Sequence, residues 1–245
     1  MNHTRRVQLP VVSGYITIVT DQYQLPAFWA HPQLTKAFPG LVLIHEETGL
    51  TPHTRMCVRR LAEMGFYVIA PDLFDGQPPT SADARAEVVA ALGEAGVARV
   101  SSALSVLRTH NHCNGKVGVV GWQLGGEIAL QMTILRQDLR AVVIFYARPD
   151  DYMPMLPAEE APLLAFYGDA DPAIPPSMLE RMREMLAASP GHGEVVIYPN
   201  ASTGFFNNAA PTYHEEYATD AWSKMVEFLA AHLEVPRHQQ RPQVY

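Results

Sequence analysis

The sequence predicts an α/β fold, a mostly parallel central sheet with helices on both faces. Three observations predict it. Uninterrupted apolar runs at residues 41–44, 66–70 and 117–120 have the length of strands covered on both sides. Segments with helical spacing of apolar residues lie between the runs. The 245 residues, 48% hydrophobic and 18% charged, are enough for one large compact core. The expected organisation is one domain over residues 1–233, with short N-terminal strands within 5–30. A polar tail of residues 234–245, containing two prolines, is expected to dock loosely or lack order.

Alternation and β-branched content predict extended segments at residues 6–9, 15–19 and 27–29. After strand 41–44, a helix is expected over 51–65, with Thr51 as N-cap and Gly65 as its stop. Strand 66–70 is closed by Pro71-Asp72, and an Ala-rich helical stretch runs over 81–109. Strand 117–120 leads into a helix from 124 to about 135. Further strands are expected at 141–145, 163–167 and 194–198, with helices near 177–188 and 211–233. Strands alternating with helices imply right-handed crossovers and a parallel sheet. In such a sheet the loops at the strands' carboxyl ends form the ligand crevice, here 45–49, 121–126, 168–175 and 200–207.

Composition excludes several function classes. Lys and Arg total 18 against 25 Asp and Glu, a net charge of -7 with no basic cluster, so nucleic acid is not an expected partner. No signal-peptide pattern and no long apolar run appear, so a soluble, cytoplasmic protein without a membrane partner is expected. Cys57 and Cys113 lack metal-type spacing and read as reduced thiols. No metal or cofactor is expected. The expected partner is a small-molecule ligand or substrate, and the expected assembly is a monomer or small homo-oligomer.

The most specific local signal is Gly121-Trp122-Gln123-Leu124-Gly125-Gly126, which follows an apolar strand and opens a helix. That is the context of a nucleophile elbow, a turn so sharp that the residues two before and two after its apex must be small. Gly121 and Gly125 meet the requirement, and Gly126 allows close helix–strand packing. Glycine-rich turns of this kind also cradle phosphates, but the spacing fits neither a P-loop nor a dinucleotide fingerprint. At the apex stands Gln123. Its carboxamide is not a useful nucleophile, because the nitrogen lone pair is delocalised and no anion forms near neutral pH.

Taken in order, several motifs resemble the dienelactone hydrolase family of α/β-hydrolase-fold proteins. They are Ile44-His45-Glu46-Glu47-Thr48-Gly49, Arg59-Arg60-Leu61-Ala62-Glu63-Met64-Gly65, Ala70-Pro71-Asp72-Leu73-Phe74, the elbow, Tyr167-Gly168-Asp169-Ala170-Asp171-Pro172 and Tyr198-Pro199-Asn200-Ala201-Ser202-Thr203-Gly204-Phe205. The resemblance covers nearly everything from residue 41 to 233. It implies a Cys (or Ser)-His-Asp triad, with Asp171 at the acid position. Gln123 stands at the nucleophile position and Thr203 at the histidine position, so two triad roles are vacant. Glu46 matches an acidic residue beside the nucleophile, and the backbone amides of Leu124 and Glu47 match the oxyanion donors. Glu46, Glu47, Trp122 and Leu124 are accordingly the candidate binding residues. Asp75-Gly76-Gln77 occupies the stretch where the family carries an arginine, so the diene-lactone substrate does not transfer with the resemblance.

No other residue offers itself as a replacement. His45 reads as a hydrogen-bonded wall, His53 and His192 as surface residues, and His214 as part of the last helix. Cys57 reads as a small core filler, and Cys113 lies at the opposite end of its strand. Gln123 is expected to donate to Glu46 and accept from Thr203, since unsatisfied buried polar groups cost about 1–3 kcal/mol. Glu46, Glu47 and Asp171 are also candidates for activating water directly. The plainer reading has Glu47 pointing outward and Asp171 bracing a loop. Three functions therefore stand. The first is a catalytically impaired, ligand-binding member of the family. The others are an unconventional hydrolase of a small ester or lactone, and a structural or interaction subunit.

Overall fold

The computed structural model describes residues 8–150, 152–158 and 160–235. Eight strands form one sheet in the order β1-β2-β4-β3-β5-β6-β7-β8. They are β1 Val11–Val19, β2 Gln24–Pro32, β3 Phe38–Ile44, β4 Tyr67–Pro71, β5 Cys113–Trp122, β6 Leu139–Phe145, β7 Leu163–Gly168 and β8 Glu194–Tyr198. β1 and β2 form an antiparallel hairpin, and β2 also runs antiparallel to β4. Every other pairing is parallel. The expected mostly parallel sheet is thus present. The first expected strand is not: Arg6 and Val7 lie outside the described residues, and Gln8–Pro10 are not in the sheet. Leu9 instead donates its amide to the Glu63 carbonyl at 2.9 Å.

The helices are α1 Pro52–Glu63, α2 Ala82–Thr109, α3 Leu124–Leu135, α4 Pro176–Ala188 and α5 Glu215–His232. Alternation along β3 shows how they sandwich the sheet. Leu41 and Leu43 face the layer of α1 and α5, while Val42 and Ile44 face that of α2, α3 and α4. All four are fully buried, which explains the continuous apolar run. α1 starts as its sequence implies. The Thr51 hydroxyl accepts from the Thr54 amide, Pro52 follows it, and Gly65 ends the segment at φ 99. By length and composition α2 is apolar enough to cross a membrane, contrary to the sequence expectation. It contacts β3, β4, β5 and α3, however, and Gly93 breaks it with non-helical dihedrals, so it serves as a layer of the α/β fold.

α5 begins at Glu215, four residues after the expected start at residue 211. The intervening segment folds back on the loop after β8. Thr212 donates its hydroxyl to the Thr203 carbonyl at 2.7 Å, and His214 donates its amide to Phe205 at 2.9 Å. The residue before the helix, His214, then caps it by accepting from the Tyr217 amide. A single sequence carries no periodicity signal for such a fold-back.

Candidate active site

β5 passes straight into α3 through Gln123, whose backbone sits at φ 50, ψ -115. That strained conformation is held from both sides: its amide donates to Phe145 at 2.9 Å and its carbonyl accepts from Glu127 at 3.0 Å. The flanking glycines are obligatory for a steric reason. A Cβ on Gly121 would lie 2.1 Å from the Gly125 carbonyl oxygen, and one on Gly125 would lie 2.2 Å from that of Ile44. Ile44 pairs with Gly121 across the sheet, so the loop carrying Glu46 and Glu47 leaves the sheet beside the elbow.

Among the described residues, the Leu124 and Glu47 amides have no hydrogen-bond acceptor. Leu124 opens α3, where an amide has no intrahelical partner and the helix dipole favours negative charge. Two free amides flanking the elbow have the makings of an oxyanion hole.

The crevice at this pole has two lobes that share Thr48 and Arg85. One, of about 550 Å³, is lined by Gln123, Glu47 and Arg148 together with one wall of α2. The other, of about 610 Å³, is lined by Glu46, His53, Met56 and Asn207 among others. Both volumes fall in the range of small-molecule sites.

Glu46 does not bond to Gln123. Its Oε1 accepts from the Tyr146 hydroxyl at 3.0 Å, and Asn207 Nδ2 donates to Oε2 at 3.2 Å. The Thr203 hydroxyl donates to Asp171 Oδ2 in a short contact, and the Ala173 amide donates to Asp171 Oδ1 at 3.0 Å. The expected pairing of Gln123 with Glu46 and Thr203 is therefore corrected. Gln123 is half-buried, lines the first lobe and has no side-chain hydrogen bond among the described residues. Asp171 and Thr203 line neither lobe and pair with each other.

Trp122, expected to help bind ligand, lies in the core. It is 2% exposed, with ring centroids 5.5 Å from Phe145 and 5.9 Å from Phe206, and its Nε1 has no hydrogen-bond partner among the described residues. Leu124 likewise buries its side chain and offers the site only its amide.

The sequence reading missed Tyr146 and, although it placed residue 207 in a crevice loop, did not single out Asn207. Tyr146 directly follows β6, so a polar-tipped residue at the carboxyl end of an apolar run was a usable signal. Asn207 carried a weaker one. It reaches Glu46 because the neighbouring Phe206 packs on Trp122 and Phe145 and draws the loop back over the elbow.

The nearby histidines are structural. His45 is fully buried, its Nδ1–H donating to the Glu46 carbonyl at 2.7 Å and its Nε2 accepting from the Leu73 amide at 3.0 Å. Asp72 Oδ1 lies 4.0 Å from Nε2, beyond hydrogen-bond distance. His53, expected at the surface, is 8% exposed. Its Nδ1–H donates to Asn208 Oδ1 at 2.9 Å, leaving Nε2 to face Cys57 Sγ at 3.7 Å. Cys57 is fully buried and its thiol is pushed up to about 12 by burial, so this chain of groups supplies no nucleophile. His192 is exposed, as expected, and His214 is spent on its cap.

Burial holds the pKa of both His45 and His53 below the usual 6.5. The unfolded chain therefore binds protons first on acidification. Stability is full above pH 6.5 and falls as the pH drops below it towards the folded values. Urea midpoints should accordingly decline between about pH 7 and pH 5, and less steeply in His53→Gln. Burial, then the nearby Glu127, also raises the Glu47 carboxyl, which favours its neutral form. Among the described residues, no three His, Cys, Asp or Glu side chains are arranged to hold a metal ion.

The strand order, the glycine-flanked elbow and an acid on the loop after β7 define an α/β-hydrolase fold. A solved protein of Klebsiella pneumoniae, provisionally described as a dienelactone hydrolase, superposes with a TM-score of 0.82 at 27% identity, covering 90% of this chain and 99% of that one. A dienelactone hydrolase from Anabaena variabilis shares the fold at a TM-score of 0.68 and 22% identity, over 91% and 99% of the two chains. The chain belongs to the dienelactone hydrolase family, whose model matches residues 25–233. A Salmonella typhimurium relative, provisionally named a carboxymethylenebutenolidase, is 28% identical over 90% of this chain and 87% of its own length.

Proposed function

We propose that this protein is a dienelactone-hydrolase-family scaffold that binds a small molecule without covalent turnover. The observation that carries the reading is the state of the triad positions. The apex side chain is a carboxamide, and the acid is occupied by a hydroxyl where a base would present an N–H. A threonine hydroxyl cannot serve as a general base at neutral pH, so the triad positions supply neither a base nor a nucleophile. The side chains near the crevice that could have replaced them, His53 and Cys57, are tied to each other and buried.

A second reading, an unconventional hydrolase, is favoured by the two free amides beside the elbow. Loss of triad members in a serine protease leaves an acceleration of roughly 10³–10⁴-fold over water, from the oxyanion hole and binding. Glu46, half-exposed to its lobe, would then be the group that activates water.

Hydrolysis of p-nitrophenyl acetate and simple lactones separates the two. The parent is expected to give no turnover above buffer. Turnover that disappears in Glu46→Gln or Asp171→Asn would instead establish the hydrolase.

A further inference from the structure

The wall of the crevice contributed by α2 differs from the rest of that helix. At Gly93 the backbone turns out of the helix to φ 37, ψ -132, a conformation open to glycine. A Cβ built there would meet nothing within 4 Å, so packing does not require the glycine and the bend does. On its N-terminal side Leu92, next to the bend, is buried in the core, but no residue from 83 to 91 is; Val88 and Val89 only lean on it. On its C-terminal side Val97, Val100, Ala103, Leu104 and Leu107 are buried. A helical piece with so little buried apolar surface sits at the low end of local stability.

That weakly held piece supplies Arg85, Ala86, Val89 and Ala90 to the first lobe, and Arg85 lines the second as well. Arg85 makes no hydrogen bond and no ion pair with any described residue; it acts on Glu47 only at longer range. The neighbouring charges are otherwise engaged. Glu127 holds Arg148 at 3.0 Å, and Tyr146 and Asn207 hold Glu46. A guanidinium standing between two lobes without a direct partner is a fixed positive charge facing the ligand space.

We propose that residues 83–91 form a cap that hinges at Gly93 beside the buried Leu92, and that Arg85 draws the cap closed on a ligand bearing a carboxylate or phosphate group. The proposal rests on reading the crevice as a ligand site and names the class of ligand it takes. Binding and closure are one event: the anion bridges Arg85 to the free amides at the elbow, so the helical cap opens less often when the anion is present.

Hydrogen exchange resolved by peptide tests this on the full chain. The free protein is expected to exchange over residues 83–91 at least about tenfold faster than over 97–107. Benzoate or phenyl phosphate, at saturating concentration, is expected to slow the first peptide by about tenfold, and the better of the two identifies the anionic group. Neutral benzamide is expected to leave it unchanged. In Arg85→Gln the protection disappears, and in Arg85→Lys part of it survives, since a lysine keeps the charge but not the fork. The proposal is overturned if residues 83–91 exchange as slowly as 97–107, or if neither anion slows them. It is also overturned if benzamide protects equally or Arg85→Gln keeps its response. Ester turnover by the parent would sink the functional reading above and leave these exchange outcomes to decide the cap.

Discussion

The double variant Gln123→Cys with Thr203→His is expected to hydrolyse p-nitrophenyl acetate at least a hundredfold faster than the parent, an order-of-magnitude floor. In a serine protease the nucleophile and histidine act as a unit worth about 10⁶ in kcat, so partial recovery already gives a large signal. The acid is in place to receive the new histidine. Asp171 is 6% exposed, already faces residue 203 through Oδ2, and is oriented through Oδ1 by the Ala173 amide. The two loops are held together by the Ala170 amide on the Ala201 carbonyl at 2.9 Å, so position 203 is not free to drift from the acid. The elbow already imposes the strained apex backbone that presents a nucleophile, and the Leu124 and Glu47 amides remain open beside it. Either single variant should stay at the parent's rate, because a thiol without a base and a base without a nucleophile each lack the other half. A double variant no faster than the parent would count against placing residues 123 and 203 at the nucleophile and histidine positions, or against a working oxyanion loop beside them.

The largest expected loss of stability is at Gly125. A methyl group there would sit 2.2 Å from the Ile44 carbonyl oxygen and 2.7 Å from that of His45, both backbone atoms at the end of β3. Relief requires α3 to move away from the sheet, disrupting the elbow and the packing of Ile128, Ala129 and Leu130 behind it. We expect Gly125→Ala to cost more than about 4–5 kcal/mol or to yield insoluble protein, read as a loss of the cooperative urea transition. Gly76→Ala is the control. Its Cβ meets nothing within 4 Å, and only its φ of 78 is unfavourable, so the cost should stay at about 1–2 kcal/mol. Equal costs at the two sites would show that steric contact at the elbow is not what demands the glycine.

Much of the fold was legible because its signals are local. Residues 41–44 had to be a strand covered on both faces, since four consecutive apolar side chains alternate between two helix layers. Thr51-Pro52 and Gly65 marked the ends of α1 through cap chemistry confined to a few residues. The elbow was readable for the same reason, a steric demand written as Gly121 and Gly125 around one apex. Where an end depended on distant contacts, the reading slipped. The start of α5 moved to Glu215 because the preceding residues fold back on the loop of Thr203, a long-range event with no local pattern.

By itself, then, the sequence determined the α/β architecture, the family resemblance, and the carboxamide at the apex of the elbow. Only the tertiary structure decided which polar groups meet. It gave Glu46 to Tyr146 and Asn207, residues 100 and 161 positions away in the chain, and left Gln123 lining the first lobe with no side-chain hydrogen bond among the described residues. It moved Trp122 into the core, buried His53 against Cys57, and left Arg85 at the junction of the two lobes. The physical reason is that hydrogen-bond partnership depends on side-chain direction and loop path over a few ångströms. Periodicity and spacing carry information only along the chain.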